Sequence, residues 1–315
     1  MPRDYVKAPD REFKAQVAQF LANRGNLFRM RALLSAMVLL FVATATSWSQ
    51  SLTWLGTLPG YDKSFARGVS ADGRVVVGYA ENAEGYFRAF RWTAAGGMED
   101  LGTLGSDESY AYGVSADGRV VVGVDENAAG LWRAFRWTAD GGMADLGTLG
   151  DDLSVALDIS ADGRVVVGWA RNATGPERAF RWTAAGGVED LGTLGGSYSV
   201  ANGVSSDGRV VVGYAQNAYG QVRAFRWTAT GGMKDLNIIY ACLLTDGSVL
   251  YTAYDISPNG RYIVGDGYNA ATRRKEAFLL DTGTPLRVQA KPQQQPQQKP
   301  QRKKPQHKEP QRTRQ

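Results

Sequence analysis

The side chains able to do chemistry in this chain are almost all carboxylates. It has one cysteine, Cys242, and one histidine, His307, which lies in a Pro/Gln/Lys-rich tail. With no histidine in the body, neither Ser-His-Asp nor Cys-His catalysis has a base there. The usual zinc ligand sets cannot be assembled either, and no phosphate-cradling glycine loop occurs. Asp62, Asp107, Glu108, Asp151 and Asp152 fall in the short variable segments PGYDKS, GSDES and GDDLS. Asp158 and Asp255 occupy strand positions where sister segments carry glycine. Two carboxylates facing one sugar can cleave a glycosidic bond, and oxygen clusters hold Ca²⁺. The plainer reading is a solvated acidic rim that offers a ligand face. The site is therefore expected to contain no catalytic residue, no metal and no resident cofactor, Ca²⁺ being the one cation its oxygens would suit.

These residues are positioned by a unit of about 45 residues written four times, with a fifth altered copy. Asp72, Asp117, Asp162 and Asp207 each open a DGR triplet, and Arg88, Arg133, Arg178 and Arg223 each open RAFRWT; the fifth copy keeps Asn259-Gly260-Arg261 and Glu276-Ala277-Phe278. A repeat this regular is one supersecondary block that buries its faces against its own copies. Each unit reads as four strands, in the first copy Ser64–Ser70, Arg74–Ala80, Tyr86–Thr93 and Met98–Leu104. Asp72-Gly73 supplies a hairpin turn, and the unbroken valine run of the second strand predicts burial on both faces. Helix signals are absent from the repeats. The sequence thus predicts an all-β fold, a five-bladed β-propeller of four-stranded antiparallel blades; a β-solenoid is the alternative. Ser51–Leu58 reads as a fourth strand without its first three, and the last unit stops after three, so the N-terminal strand is expected to close the ring.

The invariant residues predict a lock between strands. Counting back from the Ala95-Gly96 turn sets Arg91 opposite Asp100, and likewise Arg136 with Asp145, Arg181 with Asp190 and Arg226 with Asp235. Such cross-strand pairs contribute about 0.2–1 kcal/mol each. Trp92, Trp137, Trp182 and Trp227 are expected to pack between blades. Chemistry belongs where copies differ: the fourth-to-first loops, among them a long insert from Ile238 to Tyr251.

Composition divides the chain into four parts. Residues 1–29 are an N-terminal extension, or the product of a start assigned too early. Residues 30–49 read as a signal peptide, or an uncleaved signal anchor: Arg29 and Arg31 precede an apolar run from Ala32 to Ala45, followed by small residues. The basic flank places the repeats outside the cytoplasm. Residues 50–284 form the propeller, and 285–315 a disordered basic tail. The net charge of +5 comes from the two ends, residues 50–284 carrying −7. Nucleic acid is therefore not an expected partner.

The unit resembles the HAF repeat of bacterial "probable extracellular repeat" proteins over residues 52–282. The resemblance rests on G-V-S-x-D-G-R-V-V-V-G at Gly68–Gly78, A-F-R-W at Ala89–Trp92 and G-M-x-D-L-G-T-L at Gly97–Leu104. The histidine that names the family is Arg88, Arg133, Arg178 and Arg223 here, and Glu276 in the last copy. The resemblance implies export and a repeat fold and brings no catalytic residue with it. The expected function is that of a secreted or cell-surface binding scaffold, non-enzymatic and monomeric, for a glycan, an envelope polymer or a surface protein. A membrane would be met only through an uncleaved N-terminal segment. A carboxylate-dependent polysaccharide hydrolase or lyase, and a structural surface protein attached through its tail, are the alternatives.

Overall fold

Turn chemistry sets the strands. The Ser70 hydroxyl donates to Asp72 Oδ1 (2.7 Å), which also accepts from the Arg74 N–H (3.0 Å), and the Val75 N–H donates back to Ser70 Oγ (3.0 Å). Gly73 closes the turn at φ +71°, a region that costs an L side chain energy. The same bonds recur at Ser115/Asp117, Ser160/Asp162 and Ser205/Asp207, and Asn259 takes the aspartate's part in the last unit. The DGR triplets are hairpin turns.

The computed structural model describes residues 50–283, so the extension, the signal-like segment and the tail lie outside the described residues. Five antiparallel sheets follow one another, all in the unit that begins at Leu55. The first holds β1 (Lys63–Val69), β2 (Val75–Glu81), β3 (Phe87–Thr93) and β4 (Gly97–Asp100); the second holds β5 (Gly105–Val114), β6 (Val120–Asn127), β7 (Trp132–Thr138) and β8 (Gly142–Asp145). The third has β9 (Gly150–Ile159), β10 (Val165–Asn172), β11 (Glu177–Thr183) and β12 (Gly187–Asp190), and the fourth has β13 (Gly195–Val204), β14 (Val210–Asn217), β15 (Val222–Thr228) and β16 (Gly232–Asp235). The fifth has three strands, β17 (Val249–Ile256), β18 (Tyr262–Asn269) and β19 (Arg274–Asp281). These are antiparallel sheets in strand order, not the parallel rungs of the solenoid alternative.

Sheets stack face to face in chain order. Val75, Val77 and Ala89 of the first sheet meet Ala111, Val121, Phe135 and Trp137 of the second, and the equivalent residues repeat this at each later joint. Phe90, Phe135, Phe180 and Phe225 are fully buried, each contributing about 1.5–3 kcal/mol. Trp137, Trp182 and Trp227 lie at these joints, as their invariance predicts, whereas Trp92 packs on Leu58 and Phe90 of the first sheet and its strap. Within each sheet the first two strands nearly touch: a Cβ on Gly78 would lie 1.9 Å from the Phe65 carbonyl oxygen, so no other residue fits.

Two further devices tie the sheets together. A fully buried serine at each of the first three joints, Ser109 at the first of them, accepts from the Ala89 N–H (3.0 Å) and donates to the Gly102 carbonyl (3.1 Å) of the preceding unit; Ser154 and Ser199 do the same. The residue before each DGR-type turn carries a backbone ladder from sheet to sheet. Ala71 N donates to Ala116 O, Ala116 N to Ala161 O, Ala161 N to Ser206 O and Ser206 N to Pro258 O, at 3.0–3.1 Å.

Four expectations need correction. The fourth strand ends at Asp100, because Gly102 turns to φ +77° and Leu101–Leu104 becomes a strap onto the next sheet, with Leu101 buried at the joint. Ser51–Leu58 forms no strand, the fifth sheet stays three-stranded, and among the described residues no packing like that of neighbours joins the fifth sheet to the first. The insert begins with a short helix, α1 (Leu236–Ile239), capped by Asp235, whose Oδ1 accepts from the Asn237 N–H (2.8 Å). Last, the cross-strand register is one residue from the expected one.

The turn after β3 holds three residues, so Thr93 faces Gly97, Arg91 faces Glu99 and Asp100 faces Phe90. Arg91 and Arg181 meet Glu99 (3.6 Å) and Glu189 (3.7 Å). Arg136 faces Ala144 and Arg226 faces Lys234. The aspartates serve the backbone instead: Asp100, Asp145 and Asp190 accept from Gly102, Gly147 and Gly192 at 2.7–2.8 Å, holding the strap turn, and Asp235 caps α1. Arg91 reaches across the joint, its Nε donating to the Gly118 carbonyl (3.1 Å).

Candidate functional site

One rim of the sheet array gathers the loops between second and third strands and the straps entering each first strand. Gly105 lies against Ala128 and Gly150 against Ala173 across these two loop sets, and Leu149 bridges Asn172. The opposite rim repeats the DGR and Gly-Gly turns. Divergence between copies is thus concentrated on one edge.

The predicted acidic residues stand along this rim one unit apart and do not converge. Asp107 faces Arg88 at 3.7 Å and Asp152 faces Arg133 at 3.3 Å. Both carboxylates are well exposed, so each pair is worth under about 1 kcal/mol. Glu108 accepts from the Tyr110 hydroxyl (3.3 Å), Asp151 accepts from the Asp152 N–H (2.6 Å), and Asp62 is exposed. Asp158 and Asp255 lie elsewhere, close to the DGR ends of β9 and β17. Asp158 joins two sheets, accepting from Ile159 N in its own strand (2.7 Å) and Val204 N in the next sheet (2.8 Å). Burial pushes its carboxyl up to about 6 against those two bonds, and Asp255 adds a like charge. Asp255 accepts from the Ile256 N–H (2.7 Å). Among the described residues no group of three His, Cys, Asp or Glu is placed to hold a metal ion.

Three features escaped the sequence reading. The first is a row of aromatic rings on the rim side of the first two sheets: Phe65, Tyr79, Phe87, Tyr110 and Trp132, each ring 5.1–5.8 Å from the next. The Arg67 guanidinium donates to the Tyr79 hydroxyl and lies over its ring. Burial, then the Glu108 charge, holds the Tyr110 hydroxyl well above its ordinary range. All five rings keep some exposed surface. The third unit has Val155, Trp169 and Glu177 at the positions of Phe65, Tyr79 and Phe87, so comparing copies column by column was the signal. The second feature is a groove of about 620 Å³ between the fourth and fifth sheets on the same rim, lined by Val222, Arg223, Tyr251, Thr252 and Lys275. It opens where the first joint is filled by Phe87 and Tyr110. The insert walls a neighbouring cavity of about 260 Å³ with Leu243 and Leu244, and Leu244 packs onto the core.

The third feature is Asp125. It takes the place of Ala80, Ala170 and Ala215, and it is fully buried. Its Oδ1 accepts from the Leu104 N–H (2.8 Å), and its Oδ2 has no partner. Burial pushes the carboxyl up to about 7, the Leu104 bond and Arg88 opposing.

Stacked four-stranded antiparallel sheets, each packing on the next through a valine-rich second strand, define an all-β fold of the β-propeller class. Two solved structures share this arrangement. TolB from Acinetobacter baumannii superposes with a TM-score of 0.50 at 14% identity, over 70% of this chain and 52% of that one. A putative TolB from Agrobacterium tumefaciens gives 0.50 at 17% identity, over 70% and 78%. The β-propeller domain of the trilobed protease from Pyrococcus furiosus gives 0.47 at 11%, over 71% and 70%. The chain spans about half the length of the Acinetobacter protein. At these identities the likeness is one of fold alone. No family model and no curated protein matches the chain. Among the described residues no helix is long and apolar enough to cross a membrane.

Proposed function

We propose that the chain is an exported binding scaffold, a propeller of five blades that performs no chemistry and holds its ligand on the variable rim. The observation that carries this reading is where the units differ. Core valines, buried phenylalanines, turn aspartates and stapling serines repeat, while the aromatic row and the insert lie on one edge. Half-exposed rings beside carboxylates and an arginine offer flat apolar faces and hydrogen-bonding edges together, the combination that suits a pyranose ring. A glycan or envelope polymer is therefore the ligand class, with a surface protein next. The charged flank and apolar run at residues 30–49, and the HAF resemblance, support export. The rim carboxylates do not converge between units, and Asp107 and Asp152 are engaged with arginines, which fits orientation of a ligand better than paired acid–base work.

The test is an array of glycans and envelope polymers probed with the full chain, followed by product analysis. Phe87→Ala with Trp132→Ala is expected to weaken the best binder at least tenfold while the melting curve stays cooperative. Turnover of a bound polysaccharide, or binding indifferent to both substitutions, would overturn the reading.

A further inference from the structure

Each end of the sheet array presents half of a joint that the chain builds four times internally. The outgoing half is uncovered on the fifth sheet. Val264, 43% exposed, stands where Val77, Val122, Val167 and Val212 are fully buried, and Ala277 is exposed where Ala89, Ala134, Ala179 and Ala224 are buried. Leu279, 69% exposed, replaces the arginine of RAFRWT. It pairs across strands with Val264, and Tyr262 extends the same face, so the four make one apolar patch.

The incoming half is uncovered on the first sheet. Val69 is 60% exposed where Ile159, Val204 and Ile256 are buried, and Ala66 is exposed where Ala111, Ala156, Ala201 and Ala253 are fully buried. Soluble proteins seldom leave such faces without a partner, and repeat arrays need their ends covered.

Among the described residues the fifth sheet also lacks a fourth strand. Phe278–Asp281 is a free edge at the positions where Phe90–Thr93 pair with Gly97–Asp100. The sequence holds one spare copy of that strand and its strap, at Ser51–Leu58. Leu52 matches Met98, Met143, Val188 and Met233, and Leu55-Gly56-Thr57-Leu58 repeats Leu101–Leu104. The strap half is already seated on the first sheet. Leu58 packs on Ala80 and Phe90, and Ser64 Oγ donates to the Gly56 carbonyl (2.7 Å) as Ser109 does to Gly102.

We propose that the fifth sheet of one copy receives the first sheet of a second copy, whose Ser51–Trp54 adds along Phe278–Asp281 as the missing strand. The joint would repeat the internal ones in face, strand and strap. It is head-to-tail, so it either closes into a ring of copies or runs on. One bond is absent: Pro258 has no N–H, so the backbone ladder stops there. That makes the contact between copies weaker than the internal joints and dependent on concentration.

In the full chain carrying Cys242→Ser, one preparation bears Thr53→Cys and another Leu279→Cys, the pair set opposite each other by the register of Glu99 and Arg91. Mixing and oxidising them is expected to give a covalent dimer whose yield rises with concentration. Val264→Lys should reduce that yield at least tenfold, and Val264→Thr serves if the lysine variant does not melt cooperatively. A doubly substituted chain that crosslinks only to itself at every concentration would overturn the proposal in favour of closure within one chain. So would a mixture that never crosslinks while sedimentation shows a single-copy mass.

Discussion

Asp125 is the residue at which the repeat is most plainly out of keeping with its surroundings, since a carboxylate fills a buried alanine position. Its folded-state pKa of about 7 lies above the ordinary 3.8. Between those values the folded chain binds more protons than the unfolded chain, so stability falls as pH rises and the full cost stands above pH 7. Asp125→Ala should therefore stabilise by about 1–3 kcal/mol at pH 8 after allowing for the lost Leu104 bond, and give no gain, or a small loss from that bond, at pH 4. Denaturant melts at both pH values decide this, and an equal gain at each would remove burial of charge as the cause. Ser109 works in the opposite sense. Ser109→Ala leaves the Ala89 N–H and the Gly102 carbonyl without a partner inside a joint and is expected to cost about 1–3 kcal/mol. The serine column is visible in the sequence as Ser64, Ser109, Ser154 and Ser199. Its task was not, because the hydroxyl's partners belong to the unit before it.

Among the elements, strands β1 to β3 and their counterparts were legible, because valine runs and Asp-Gly turns fix both phase and length. The fourth strand is shorter than its pattern suggests: Leu-Gly-Thr-Leu alternates like a strand, and only the positive φ of its glycine turns it into a strap. The same shortfall explains the Arg–Asp register. A three-residue turn and a two-residue turn look alike around Ala95-Gly96, and one residue moves each arginine from aspartate to its neighbour. The helix at the start of the insert leaves no mark in the sequence, because four residues carry no periodicity. Its cap is testable. Asp235 is buried and holds the Asn237 N–H, and Asn237 in turn exchanges two bonds with Leu250. Asp235→Ala should cost about 0.5–2 kcal/mol in chemical denaturation. Asp190→Ala, whose side chain is exposed and holds only Gly192, should cost less; equal losses would deny the cap its special part.

For the whole molecule, the repeat announced a stack of sheets and the structure supplies its order, while the closing of that stack was beyond sequence reasoning. Whether two ends meet depends on the angle each joint adds, and no residue pattern encodes a sum of angles. The open ends set a gradient of protection. Amides of the third and fourth sheets, covered on both sides, should exchange with solvent more slowly than those of β1 and of β17 to β19. Hydrogen exchange at peptide resolution reads this directly, and uniform protection across the five sheets would speak for a closed structure.

The ladder of backbone bonds also bears on how such a chain can change over generations. Every rung before Pro258 joins one unit to the next through chemically interchangeable atoms, and every joint accepts the same two faces. Removing residues 117–161 would bring Ala116 directly before Asp162 and leave its N–H opposite the Ser206 carbonyl, with no other residue altered. Unequal recombination within the coding repeat would thus yield shorter and longer chains that still fold, the proline marking where the count ends. Differences in unit number between closely related strains, with the last unit always retained, are the pattern such a molecule should leave in genomes.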